Sequence, residues 1–189
     1  MKKVIILKTG EKITIRHIEE SDVNGIWNNF NQVVEEGIYI PVLFPVRSEF
    51  ERNSWFKTIK KENEICIVAI QSNSKSPYDV LGMCEISNLE WDAAAHVGNL
   101  GVIVQKKYRN MGIGFSLIDT AIRESKRINH KEKIVLSCFS NNERAIYLYK
   151  KMGFQVTGMR KRQFFMDSNY YDEIMMDLWI DDYLVNLPS

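Results

Sequence analysis

The sequence predicts a domain of mixed α/β class, and three observations carry that reading. Apolar runs of strand length alternate with segments whose apolar residues recur at helical spacing. Two glycines, Gly112 and Gly114, stand where a β-branched run (Val102, Ile103, Val104) gives way to a long helical pattern. A length of 189 residues with 45% hydrophobic content suits a single domain, 1–189, with a substantial core.

Taken in order, residues 4–7 and 13–15 read as strands flanking Lys8-Thr9-Gly10-Glu11, a hairpin turn whose glycine supplies a positive φ. The first of these strands reads as an edge addition. Ser21 reads as the cap of a helix carrying Val23, Ile26, Trp27 and Phe30. Residues 31–47, with Tyr39, Pro41, Phe44 and Pro45, show no clear period. Ser48-Glu49-Phe50-Glu51 is a capping box, so a second helix begins there and carries Phe50, Trp55, Phe56 and Ile59. The continuous apolar run 65–70 is a buried strand, and the Ser-, Asn- and Lys-rich stretch 71–79 is a surface loop.

Two further strands follow at 80–87 and 96–104, joined by a turn around 88–95. Residues 112–128 form a helix with Ile113, Leu117, Ala121 and Ile128 on one stripe. A strand at 134–139 precedes a helix at 142–152, which Gly153 ends. Residues 155–165 and 170–179 close the chain as a hairpin around Asp167-Ser168-Asn169. There is no internal repeat and no low-complexity tract.

Several classes of function are excluded early. The formal charge of +1 leaves no basic field for nucleic acid. No apolar run is long enough to cross a bilayer. The start, Met1-Lys2-Lys3-Val4-Ile5-Ile6-Leu7-Lys8, imitates a signal peptide, but its apolar run is too short and a charged turn follows. Cys66, Cys84 and Cys138 all sit in strand-like runs. An odd count without metal-ligand spacing indicates reduced core thiols in a cytoplasmic protein.

The junction 102–115 carries the chemistry. Glycine lets the backbone approach a ligand closely, and the first turn of a helix has unpaired amides at the positive end of its dipole. A phosphate fits there. The alternative is that Gly112 and Gly114 only shape a loop. This is not a Walker loop, because the Gly-Lys-Ser/Thr ending is missing, and it lacks the first glycine of the Rossmann pattern. A second motif lies downstream, Asn142-Glu143-Arg144-Ala145-Ile146-Tyr147-Leu148-Tyr149-Lys150-Lys151-Met152-Gly153-Phe154.

Together the two motifs resemble the GCN5-related N-acetyltransferase (GNAT) superfamily. Its Arg/Gln-x-x-Gly-x-Gly/Ala signature is met by Arg109, Gly112 and Gly114. Its Asn-x-x-Ala-x-x-Leu-Tyr-x-x-x-Gly-Phe helix is met by Asn142, Ala145, Leu148, Tyr149, Gly153 and Phe154. The resemblance covers roughly residues 13–178. It implies a central, mostly antiparallel sheet flanked by helices, with parallel central strands, here 96–104 and 134–139, splayed around acetyl-CoA.

By the same resemblance, main-chain groups of Val102 and Val104 pair with the pantetheine arm, and one amide polarises the thioester carbonyl. Amides of Asn110, Met111, Gly112, Ile113, Gly114 and Phe115 hold the pyrophosphate. Arg109 either adds charge there or is a solvated residue capping the loop. Asn142 is an N-cap, and in the family the matching asparagine also contacts pantetheine. The family uses the tyrosine matching Tyr149 as general acid toward the CoA sulfur; the other reading is a core tyrosine packed on Leu148. Lys151 reaches CoA phosphates or is a solvated lysine at the helix end.

The general base is not carried over. Some relatives place a glutamate on the strand before the asparagine helix, where this chain has Val135-Leu136-Ser137-Cys138-Phe139. Glu85, on a strand face with Leu81 and Met83, is the first candidate, since burial raises a carboxylate's pKa. A rim salt bridge is its other reading. Glu173 and His96 follow, and deprotonation through water needs no base at all. No histidine is patterned to activate Cys138 or Cys84, so direct transfer is expected rather than an acyl-cysteine.

The function implied is an acetyl-CoA-dependent N-acetyltransferase acting on a primary amine of a small molecule such as an amino acid. The closing segment, from Gly158 through Tyr170-Tyr171-Asp172-Glu173 to Met176, resembles that of family members using free amino acids or small amines. The acceptor would enter past 31–47, where Glu35, Glu36 and Tyr39 receive a cation. Alternatives are an acetyltransferase for protein N-termini, as on ribosomal proteins, and a non-catalytic acyl-CoA sensor. The expected partners are acetyl-CoA and the amine, without metal, nucleic acid or membrane; a homodimer is one assembly open to it.

Overall fold

The computed structural model describes residues 1–72 and 80–186. The loop expected at 71–79 therefore lies outside the described residues from 73 onward. The elements are β1 (Lys2–Ile6), β2 (Lys12–His17), α1 (Val23–Glu35), α2 (Glu49–Lys61), β3 (Ile65–Gln71), β4 (Val80–Asn88) and β5 (Val97–Val104). They continue with α3 (Ile113–Asn129), β6 (Lys133–Phe139), α4 (Glu143–Lys151), β7 (Gln155–Met166), β8 (Asn169–Trp179) and α5 (Ile180–Asn186). The eight strands form one sheet in the order β1-β2-β3-β4-β5-β6-β8-β7. Every pairing is antiparallel except β5 with β6.

Both faces of the sheet are covered. Ile13, Ile15, Ile65, Ile67 and Ala69 face a core that includes Leu117, Ile118 and Ile122 of α3. Cys66, Val68 and Met83 face a second core with Ile26 of α1 and Ile59 of α2. β3 is thus buried on both sides, which is why its sequence is a continuous apolar run rather than an alternating one. The pairing of β3 with β4 shifts register between Ala69 and Ile70. Leu81 is the extra residue of that bulge and joins the α3-side core. It does not share the face of Met83 and Glu85, as strict alternation predicts.

Local signals misled at three other points. Ser21 does not cap α1: it lies inside a 3₁₀ turn, Glu20–Asp22, braced by reciprocal bonds between Glu19 and Asp22. Asp22 is also held by both terminal nitrogens of Arg16, at 2.6 and 2.9 Å. The helix α1 continues to Glu35, into the stretch that lacks a clear period, because Val33 and Val34 find burial that periodicity alone does not reveal. At the start of α2 the Ser48 hydroxyl accepts the Glu51 amide at 3.3 Å, one half of the expected box. The short α5 has no strong sequence signal; it is anchored by Tyr183, whose hydroxyl donates to Asp119 of α3 at 3.0 Å.

At Gly98, β5 is closely flanked by Ile86 of β4 and Ile134 of β6. A Cβ built on Gly98 would stand 2.4 Å from Cγ2 of Ile86, a buried β-branched side chain with no freedom to retreat. Gly98→Ala is expected to lower unfolding stability by about 1–3 kcal/mol, measured by urea denaturation. An unchanged midpoint would show that the ladder yields there without cost.

Candidate active site

The parallel ladder between β5 and β6 is limited to Val97, Gly98 and Asn99 against Lys133, Ile134 and Val135. Beyond it β5 stays with β4 as far as Val104, and β6 stays with β8 as far as Phe139. The two strands therefore diverge with no neighbour between them. The Gln105 amide donates to Leu81 at 2.8 Å. Antiparallel ladders alternate, so the main-chain groups of Ile103 face β4 while those of Val102 and Val104 face the gap. The Val104 carbonyl is taken by Nε of Arg109 at 2.9 Å. The Val104 amide and both groups of Val102 have no partner among the described residues.

A cavity of about 1120 Å³ opens at this divergence and reaches both faces of the sheet. Residues 110–116 and α4 border it on one side, and α1, α2, residues 39–41 and the Arg109 side chain against them on the other. Asn110 and Gly112 lie in the left-handed region, with φ of 65° and 84°, and turn the chain into α3. The first helical bond runs from the Ser116 amide to the Gly112 carbonyl at 3.1 Å. The amides from Asn110 to Phe115 have no acceptor among the described residues, as at any helix start. Asn110, Gly112, Gly114 and Phe115 border the cavity; Met111 is exposed, and the Ile113 side chain turns into the core.

Arg109 is neither a free charge for the loop nor a solvated cap. Both its terminal nitrogens bind the Glu36 carboxylate, at 2.7 and 2.5 Å, and its guanidinium lies 4.9 Å from the Tyr39 ring centre. Glu36 is thereby spent on Arg109, not available for an incoming cation, and Glu35 is exposed outside the cavity. Asn142 caps α4, its Oδ1 accepting the Ala145 amide at 3.3 Å, while the same side chain borders the cavity. Lys151 borders it too, from the exposed end of α4.

Tyr149 is 7% exposed, with its ring tilted against Phe154 at 5.8 Å, and it borders the cavity. Its hydroxyl has no hydrogen-bond partner among the described residues, and burial pushes its pKa up. Glu85 enters the cavity from the α1–α2 side. Burial pushes its carboxyl up to about 7, opposed by a hydrogen bond from Trp55 Nε1 at 3.1 Å. No cation pairs with it among the described residues, so the rim salt bridge is absent there. Glu173 is buried against Arg160 at 2.8 Å, and His96 is exposed; neither borders the cavity.

Cys84 is buried, and Cys138 borders the cavity with its thiol pushed up to about 11 by burial. Among the described residues no group of three or more His, Cys, Asp or Glu is placed to hold a metal ion. No described helix is long and apolar enough to cross a membrane. Sequence reasoning did not assign Trp27, Phe30 and Trp55 to the cavity wall. Their helical spacing marked only a buried face, and which neighbour that face meets depends on how α1 and α2 cross the sheet.

The comparisons with known proteins agree with this geometry. The family model described as Acetyltransferase (GNAT) family matches residues 32–154. An L-amino acid N-acetyltransferase from Escherichia coli is 29% identical over 98 residues, spanning 52% of this chain and 60% of that relative. An uncharacterized prophage-derived N-acetyltransferase from Bacillus subtilis is 24% identical over 94% of this chain and 96% of its own. A phosphinothricin acetyltransferase from Sinorhizobium meliloti, solved in complex with acetyl-CoA, superposes with a TM-score of 0.81 at 19% identity, covering 94% of this chain and 93% of that one. With a family model matched over most of its length and the splayed β5–β6 pair at its centre, the chain belongs to the acetyltransferase (GNAT) family.

Proposed function

We propose that the chain is a single catalytic domain, with its core at about residues 13–178, that transfers acetyl from acetyl-CoA to a primary amine of a small molecule by direct attack. The observation that carries this is the meeting, in one cavity, of unpaired main-chain groups, a cavity-facing tyrosine and a carboxyl pushed up to about 7. The amides at the start of α3 and the gap-facing groups of Val102 and Val104 fit a pyrophosphate and an extended amide-bearing arm. Glu85 stands on the other side of the sheet gap, where the amine enters. Its presence in the cavity supports catalysis over sensing, since it supplies a base that the strand before the Asn142 helix lacks. An odd set of free thiols supports a cytoplasmic setting.

Glu85 takes a proton from the ammonium and so supplies the neutral amine that attacks the thioester carbon. A main-chain amide of the gap, at Val102 or Val104, stabilises the charge that develops on the carbonyl oxygen. As the carbon–sulfur bond breaks, the attacking nitrogen loses its second proton to solvent and becomes the amide, the Tyr149 hydroxyl hydrogen-bonds to the departing thiolate, and the proton on Glu85 passes to solvent. A phenol whose pKa is raised stays protonated at neutral pH. Its contribution is a hydrogen bond that strengthens as the thiolate forms. Both free thiols near the site are pushed up by burial, which favours direct transfer over a cysteine relay.

Tyr149→Phe is expected to lower kcat by about 10- to 100-fold with little loss of CoA affinity. The melting temperature should barely move, because the hydroxyl gives up no protein partner. A large stability loss with turnover intact would instead mark Tyr149 as a core residue. The reaction itself is tested by following CoA release from acetyl-CoA over a panel of amines. Tight CoA binding without release for any amine would return the sensor reading.

A further inference from the structure

The acceptor side of the cavity has a composition that selects among amines. Trp27 of α1 meets Phe30 and Trp55 edge-on, with ring centres 5.2 and 5.3 Å apart. Trp55 in turn donates to Glu85, so the aromatic wall and the carboxyl are one connected unit. Tyr39 and Ile26 extend the wall. Among the described residues the cation bordering this side is Arg109, and its charge is already matched by Glu36. Arg144 and Lys151 belong to the opposite side, on α4 with Asn142. Among the described residues the buried donor left unpaired on the aromatic wall is the neutral indole nitrogen of Trp27.

These facts weigh differently on three kinds of acceptor. A free amino acid would bring its carboxylate among aromatic rings and close to Glu85. The neutral groups on this face, the Trp27 N–H and the side chains of Ser87 and Asn99, do not match the carboxylate's charge as a cation would. A polyamine would bring a second ammonium, which needs a second carboxylate; Glu36 is engaged and Glu35 lies outside the cavity. An amine on an aromatic or bulky apolar body needs only what is there. Its ammonium is drawn to Glu85 and to ring faces, and its body covers the rings.

We infer that the acceptor is a primary monoamine on an aromatic or bulky apolar body, without a carboxylate and without a second cationic centre. The inference rests on the acetyltransferase reading and narrows it, departing from the amino acid that the closing segment suggested. Glu36 acts here as a specificity-determining residue: by neutralising Arg109 it withholds the one cation that a carboxylate could use.

The test compares 2-phenylethylamine, L-phenylalanine and spermidine as acceptors for the full chain with acetyl-CoA, by CoA release and product mass. The expected order places 2-phenylethylamine at least about 100-fold above the other two in kcat/KM. Glu36→Gln frees the Arg109 guanidinium and is expected to raise kcat/KM for L-phenylalanine by about tenfold or more, without a matching gain for 2-phenylethylamine. Should that variant fold poorly, tryptophan fluorescence of the wild-type protein with CoA bound gives the affinities of the three amines, read through Trp27 and Trp55. Equal or better use of L-phenylalanine or spermidine overturns the inference, as does CoA binding with none of the three acetylated. Absence of any melting-temperature rise with acetyl-CoA overturns the underlying acetyltransferase reading as well.

Discussion

Gly112→Asp is expected to raise the Kd for acetyl-CoA by at least about 100-fold while leaving the free protein folded. Gly112 has φ of +84°, and a Cβ built there meets no protein atom within 4 Å. Aspartate tolerates the left-handed region better than most residues, so the fold loses only about 1–2 kcal/mol. The cost falls on the ligand. A carboxylate placed about 5 Å from a pyrophosphate charge, at an effective dielectric near 20, is repelled by about 3 kcal/mol. That alone is roughly a hundredfold in affinity. Acetyl-CoA should raise the melting temperature of the wild type in a concentration-dependent way and leave the variant unmoved. A variant retaining wild-type affinity would mean that the phosphate cradle lies elsewhere.

Glu85→Gln has the second large effect, with a dependence on pH that sets it apart from a structural role. A base titrating at about 7 makes the wild-type rate climb through neutrality. The variant should be slower by about 10²- to 10³-fold at pH 7 and should lack that limb; the deficit shrinks at high pH, where the amine loses its proton unaided. Stability should move the other way. A carboxyl whose pKa is raised on folding binds more protons in the native state, so wild-type stability falls as pH rises from the unfolded value of about 4.5 to about 7. Glutamine removes that penalty and keeps an acceptor for Trp55 Nε1. The variant is therefore expected to melt a few degrees higher than wild type at pH 8. An acidic limb left unchanged in the variant removes Glu85 from the mechanism.

The legible parts of this protein were those written in neighbouring residues. The alternation of strand and helix, the glycine turn into α3, the Asn142 cap of α4 and the closing hairpin all depend on groups a few positions apart. Asp167 and Ser168 show the same locality, both with the positive φ that a two-residue hairpin turn demands. Where a short-range signal failed, a longer contact had replaced it. Ser21 lost the cap of α1 to a turn that Glu19 and Asp22 brace and Arg16 pins from β2. Leu81 left the face assigned by alternation because a bulge opposite β3 turned it toward α3.

The sequence by itself determined the order of elements and the local conformations that expose amides at the head of α3, because sterics and hydrogen bonding between near neighbours dictate both. Tertiary structure alone decided the electrostatics of the cavity. Arg109 meets a partner 73 positions away, and Glu85 meets Trp55 across 30. Whether a guanidinium is neutralised or a carboxyl is pushed up to about 7 depends on which groups and how much water surround it. That is set when α1 and α2 close over the sheet, bringing together charges and rings that no local pattern relates.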